Sequence, residues 1–143
     1  MDNAYKILPL IALLAPLTSF ITVCLVASRH ARTISSIAVV YMFLSFISSM
    51  LLIVTMWNGT PVLLSMNWFT VASYSFAADL ALSNSSLLML VVVSFISLVV
   101  HIYSTTYMAS DGNIKKYFAM LGFFTFSMQG IVLSDNLLFL FIF

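Results

Sequence analysis

Long apolar stretches without charged side chains constrain this sequence more than any other feature. No Asp, Glu, Lys or Arg occurs between Lys6 and Arg29, between Arg32 and Asp79, between Asp79 and Asp111, or between Lys116 and Asp135. Charged residues make up only 6% of the chain and hydrophobic residues 63%, whereas about a quarter of a typical soluble domain is charged. The sequence therefore predicts an integral membrane protein and not a soluble domain.

The lengths of these apolar stretches match the thickness of a bilayer. A helix crosses about 30 Å of hydrocarbon with about 20 residues, and a helix satisfies its own backbone groups inside lipid. We therefore predict an all-α polytopic membrane fold. Its four spans are expected at residues 7–27, 34–57, 86–107 and 117–133, with a fifth beginning at residue 136. Residues 1–143 are expected to belong to one membrane domain.

The basic residues indicate how the spans are oriented. Arg29 and Arg32 follow span one, Lys115 and Lys116 precede span four, and residues 58–85 contain neither Lys nor Arg. Short loops rich in Lys and Arg face the cytoplasm. We therefore expect the N-terminus and residues 58–85 to lie outside. Asn58-Gly59 and Pro61 are turn signals, and the aromatic stretch that follows predicts a short β-hairpin against the outer ends of the helices.

Polar residues recur at helical spacing inside the spans. They are Tyr41, Ser45, Ser48 and Thr55 in span two, Ser94, Ser97, His101, Ser104 and Thr105 in span three, and Gly122, Thr125 and Gln129 in span four. Small hydroxylated residues most often serve helix packing, and we expect this role for the stripe. His101 is different, because an ionisable side chain within a span is costly and titrates near neutral pH. A structural imidazole and a proton carrier are equally compatible with the sequence.

Several kinds of chemistry find no support in the sequence. No His or Cys pair has metal-ligand spacing, and no phosphate loop, nucleophile elbow or dinucleotide fingerprint occurs. The net charge of +1 does not favour nucleic-acid binding. We therefore expect no catalytic residue, metal or cofactor site within this chain, and we expect the lipid bilayer to be one of its partners.

The last eight residues, "NLLFLFIF", are too few to cross a bilayer. A chain end in lipid would bury a carboxylate and unpaired carbonyls at high cost. The sequence is therefore expected to be the N-terminal fragment of a longer polytopic protein.

An ordered series of short motifs from Asp79 to the end resembles a known family. The series consists of Asp79, Leu82-Ser83, Met89 to Val93, "VHIYS" at Val100–Ser104, "YM" at Tyr107-Met108, Asp111, Tyr117-Phe118, Ser127-Met128 and Asp135 to Leu138. It is similar to the antiporter-like subunit L, or chain 5, of respiratory complex I. Thr105-Thr106 and Gln129 depart from the family pattern. Gln129 stands where an aliphatic residue is expected, and its amide could form an interhelical hydrogen bond.

The resemblance implies proton translocation coupled to quinone reduction in a large complex. It also implies that the central proton-transfer pair of the family, a glutamate and a lysine, lies beyond Phe143. It implies other membrane-arm subunits as partners, with NADH, FMN, iron-sulfur clusters and quinone bound by partner subunits and not by this chain. His101 and, more weakly, Asp79 are candidates for a proton route; Asp79 could equally cap span three or anchor the hairpin. The expected location is a bacterial plasma membrane, with an organelle inner membrane as the alternative.

Two other interpretations of the apolar spans and the motif series are open. The large subunit of a multisubunit sodium/proton antiporter, or of a membrane-bound hydrogenase, has a related N-terminal region. A small stand-alone membrane scaffold is a third interpretation, against which the ordered motif series and the abrupt apolar end both argue.

Overall fold

The computed structural model describes residues 2–26, 31–57, 62–71 and 74–143. Its elements in chain order are α1 (Asp2–Leu25), α2 (Ala31–Met56), β1 (Val62–Val71), β2 (Tyr74–Leu82), α3 (Asn84–Tyr107), α4 (Ile114–Leu133) and α5 (Leu137–Ile142). Four helical segments are long and apolar enough to cross a membrane. They are Ile7–Leu25 of α1, Arg32–Met56 of α2, Asn84–Tyr107 of α3 and Ile114–Leu133 of α4. The prediction of four helices that can span a membrane is therefore confirmed.

The four long helices form one bundle. Helix α2 packs against α1 and α3, and α4 packs against α3 and α1, so the four helices form a closed ring. Helices α2 and α4 also contact each other across the middle of this ring. Apolar residues close the bundle at its two ends. One cluster includes Leu52, Leu90 and Leu133, and the other includes Val23, Ile34 and Phe118. Between these clusters the buried positions of the helices include many polar side chains.

The helix boundaries differ from the predicted spans for local reasons. Helix α3 begins two residues early because the Ser83 hydroxyl caps it, accepting a hydrogen bond from the Ser86 amide at 3.2 Å. Helix α4 begins at Ile114 and so includes both lysines that the prediction left in the loop. The Lys115 ammonium donates to the Val26 carbonyl at 2.8 Å, where helix α1 ends. A cation there interacts favourably with the helix dipole.

The segment between α2 and α3 contains two strands. β1 and β2 pair antiparallel from Val62 opposite Leu82 to Val71 opposite Tyr74, with an irregularity in register between Asn67 and Phe69. The turn predicted at residues 58–61 lies outside the described residues, as does the second turn that the sequence predicts near Ala72-Ser73, within the hairpin. Leu82, at the end of β2, is buried in the same apolar cluster as Leu90, so β2 ends against the bundle.

Candidate functional site

His101 lies wholly inside the bundle, on α3, with no exposed surface. Its Nδ1 is 2.8 Å from the Ser97 carbonyl oxygen, one turn earlier on the same helix. A carbonyl oxygen only accepts hydrogen bonds, so Nδ1 carries a proton. In the neutral ring Nε2 is then a bare acceptor, and no described residue donates to it. The structure thus presents one buried, unpaired nitrogen that can take up a proton.

Aromatic side chains of α4 hold the imidazole in place. The ring of His101 lies 5.9 Å from the Phe118 ring at an interplanar angle of 49°. Phe118 in turn meets Tyr117 edge to face at 5.6 Å. The Tyr117 hydroxyl is 2.9 Å from the Ser104 hydroxyl, one turn beyond His101 on α3. The orientation of the ring is therefore fixed by contacts to both helices.

The predicted stripe of α3 divides into two kinds of residue. Ser97 reaches α4, where its hydroxyl is 2.6 Å from that of Thr125, and Ser104 reaches Tyr117. By contrast, the hydroxyls of Ser94 and Thr105 donate to carbonyls of their own helix, at Val91 and Ile102. Helical spacing alone predicted one common face. Of these four hydroxyls on α3, those of Ser97 and Ser104 bond the neighbouring helix α4.

Gln129 is fully buried and forms a hydrogen bond between helices. Its amide nitrogen donates to the Ser45 hydroxyl of α2 at 3.0 Å, as its departure from the family pattern suggested. Ser45 donates onward to the Ala12 carbonyl of α1 at 2.8 Å. We call His101, Ser97, Ser104, Tyr117, Thr125, Gln129 and Ser45 the internal polar column. It joins α2, α3 and α4, and through Ala12 it reaches α1.

Three buried polar atoms lack a hydrogen-bond partner among the described residues, and all lie beside α4. They are His101 Nε2, Ser19 Oγ and Gln129 Oε1. Phe118 contacts His101, and Ser19 Oγ is 3.6 Å from the position a Cβ of Gly122 would occupy. The positions on α4 next to these atoms run from Phe118 through Gly122 to Gln129, which is about 16 Å at 1.5 Å per residue. Buried polar atoms usually have hydrogen-bond partners, so these three atoms are candidate positions for bound water.

The sequence predicted part of this site and missed part of it. Tyr117 stands out in the sequence only as part of a family motif. Ser19 does not stand out, because the hydroxyl residues of α1 (Thr18, Ser19 and Thr22) lie close together and form no stripe along the helix. Ser45 belongs to the polar residues at helical spacing in span two, and Pro16, four residues after Ala12, frees the carbonyl that its hydroxyl bonds. Within the described residues, no three His, Cys, Asp or Glu side chains come together as metal ligands.

Asp79 lies apart from the internal polar column in the fold. Its backbone is in β2, opposite Ser65, and its side chain lies outside the described residues. The suggestion that Asp79 caps span three is wrong, because Ser83 is the N-cap of α3. Its use in a proton route stays a prediction.

The chain is similar to known proteins over most of its length. Residues 68–118 match the family described as NADH-Ubiquinone oxidoreductase (complex I), chain 5 N-terminus. NADH-quinone oxidoreductase subunit L of Campylobacter jejuni is 35% identical over 136 residues, which cover 94% of this chain and 22% of that protein. The subunit L of Rickettsia bellii is 32% identical over 141 residues, covering 96% and 22%.

A shorter match of higher identity connects the chain to a different oxidoreductase. The F(420)H(2) dehydrogenase subunit L of Methanosarcina mazei is 50% identical over 54 residues, or 38% of this chain and 8% of that protein. The chain spans about a fifth of the length of the two longer matches named above.

Proposed function

Because the chain belongs to the family of complex I subunit L, or chain 5, we propose that it forms part of the membrane arm of a proton-translocating NADH-quinone oxidoreductase. Its four membrane-capable helices and its relatives make it a multi-pass membrane protein. In this proposal, partner subunits bind NADH, FMN, iron-sulfur clusters and quinone, and this chain contributes to moving protons. The relatives from Campylobacter jejuni and Rickettsia bellii are both named NADH-quinone oxidoreductase subunit L, which favours this function over an antiporter or hydrogenase.

The observation that carries a role in proton movement is the unpaired Nε2 of His101. The imidazole is buried and held by Ser97, and its bare nitrogen accepts no hydrogen bond from any described residue. An ionisable group inside a membrane span is a functional candidate by default. We assign His101 the role of a proton carrier that takes up and releases protons at Nε2.

The position of His101 along α3 places it near the cytoplasmic end in the proposed orientation. Arg32 and Lys115 lie at the end of the bundle where α3 finishes at Tyr107, and basic residues favour the cytoplasmic side. His101 is six residues from that end, or about 9 Å along the axis. The Ser104 and Tyr117 hydroxyls lie within this interval and form the first polar step from the cytoplasm. The two-stranded segment and Asp79 then lie at the outer side.

Deeper in the bundle, the internal polar column continues past His101. The hydroxyls of Ser97 and Thr125 are joined at 2.6 Å, and Gln129 lies one turn further along α4. Hydroxyl groups both donate and accept, so they can support a hydrogen-bonded line together with water. We propose that this part of the column stabilises the proton on His101 and supports the proton-transfer residues that the family resemblance implies beyond residue 143. Asp79 is the weaker candidate for an outer exit.

The test is substitution of His101 in the intact protein within its assembled complex. His101→Gln retains hydrogen-bonding capacity but cannot titrate, whereas His101→Ala also removes the packing against Phe118. Both variants should assemble and should lower proton translocation and coupled quinone reduction severalfold. Ser94→Ala is the matched control, because that buried hydroxyl bonds only its own helix in the described structure. Wild-type translocation by His101→Gln at every pH would show that the imidazole is structural.

A further inference from the structure

A groove between α2 and α3 opens on the outside of the bundle, at the end that carries the basic residues. It has a volume of about 1300 Å³. Its α2 wall runs from Arg32 through Ser36 to Val40, and its α3 wall includes Ile102 and Thr106. All five side chains are exposed. None of them belongs to the internal polar column.

The two walls change from polar to apolar in the same direction. Arg32, Ser36 and Val40 are four residues apart and so share one face of α2, over about 12 Å. α3 runs the opposite way, so Thr106 lies nearer the basic end and Ile102 lies deeper. The exposed fractions of Val40 and Ile102 are 65% and 52%. The groove is therefore cationic and hydroxylated at its mouth and apolar further in.

This gradient matches one class of ligand. Among the described residues that line the groove, Arg32 is the one charged side chain, and no carboxylate neutralises it there. A guanidinium binds phosphate through its fork of N–H donors, and hydroxyl groups add further donors. An acyl chain would cover the exposed Val40 and Ile102. A transmembrane helix in the same place would have to supply acceptors for the guanidinium at the level of Arg32, from a carboxylate or from backbone carbonyls.

We propose that this groove binds an anionic phospholipid, with its phosphate at Arg32 and Ser36 and an acyl chain along Val40 and Ile102. The attraction of one basic residue for an anionic membrane surface corresponds to a preference of about fivefold over a neutral lipid. The groove therefore selects the headgroup charge, while the apolar walls accept any acyl chain.

The test uses the intact protein in its complex, reconstituted into phosphatidylcholine vesicles that contain a trace of a lipid with a photoactivatable acyl chain. Labelling by photoactivatable phosphatidylglycerol is compared with labelling by the matching phosphatidylcholine, and labelled peptides of α2 and α3 are quantified by mass spectrometry. We expect phosphatidylglycerol to label these peptides about fivefold more strongly. Arg32→Gln should remove the preference, and Arg32→Lys should retain most of it.

Lys116→Gln is the matched control, because Lys116 lines a different groove beside α4. It should leave labelling of α2 and α3 unchanged, and all variants are compared at equal amounts of assembled complex. Equal labelling by the two lipids in the wild type would overturn the proposal, as would an unchanged preference in Arg32→Gln. A photocrosslinker attached at a groove position gives a second measurement. If no lipid labels α2 and α3 and this crosslinker joins the groove to another protein segment, protein covers the groove and the proposal is wrong.

Discussion

The hydroxyl of Ser45 on α2 donates a hydrogen bond of 2.8 Å to the backbone carbonyl of Ala12 on α1. In an uninterrupted helix this carbonyl would accept from the amide of residue 16. Residue 16 is a proline inside α1, which has no amide proton, so the carbonyl loses its helical donor. Ser45 replaces that donor from the neighbouring helix. The proline and the serine together determine where α1 and α2 meet.

Substitution of Ser45 should destabilise the bundle more than its small size suggests. Ser45→Ala leaves both the Ala12 carbonyl and the Gln129 amide without their partner in a buried site. We expect a loss of about 1–2 kcal/mol in the free energy of unfolding. Thermal unfolding of the protein in mild detergent measures it.

A second substitution tests the origin of that loss. In Ser45→Ala/Gln129→Leu the unpaired amide is also removed, so the double variant should be more stable than the sum of the single effects predicts. Thr55→Ala is the control, because the Thr55 hydroxyl bonds carbonyls of its own helix at an exposed position. Strict additivity of the two substitutions would contradict the proposed coupling.

Gly122 is expected to be sensitive to the addition of a single methyl group. A Cβ at this position would lie 3.2 Å from the Pro16 carbonyl oxygen, which is part of the backbone of α1 and cannot rotate away. Gly122→Ala should force α1 and α4 apart and cost about 1–3 kcal/mol. Gly112→Ala adds the same methyl group where no atom lies within 4 Å. Equal melting temperatures for the two variants would count against this close approach.

The Tyr117 hydroxyl should contribute to the contact between α3 and α4. Tyr117→Phe removes the 2.9 Å hydrogen bond to Ser104 and keeps the aromatic contact with Phe118. We expect a loss of about 0.5–1.5 kcal/mol in stability. If the hydroxyl pair is also the first polar step toward His101, proton translocation should slow as well. Tyr107→Phe is the control, because 69% of that side chain is exposed.

The proposed orientation can be tested by accessibility of single cysteines. Cys24, the one native cysteine, is exposed on the bundle surface and is first replaced by serine. A cysteine at Ser65, in β1, should react with an impermeant thiol reagent added to intact cells. A cysteine at the exposed Asn113 should react only after permeabilisation. The opposite pattern of labelling would reverse the orientation of the bundle.

Composition was sufficient to predict the helical part of the fold. Lipid leaves a chain few ways to satisfy its backbone, so an apolar stretch of about 20 residues predicts a helix with little influence from its neighbours. The predicted spans differed from the helices at the helix ends, where contacts with neighbouring segments contribute. Lys115 lies inside α4, and its long side chain reaches the Val26 carbonyl of α1, a contact that spacing within one segment cannot reveal.

The sequence by itself determined that His101 is an ionisable group inside a span and that it shares a helical face with Ser97 and Ser104. Only the tertiary structure decided that Ser97 and Ser104 bond α4 while Ser94 and Thr105 bond their own helix. The same is true of the unpaired Nε2 beside Phe118. The physical reason is that periodicity gives the direction of a side chain around its own axis, whereas its partner depends on which helix packs there and at what height.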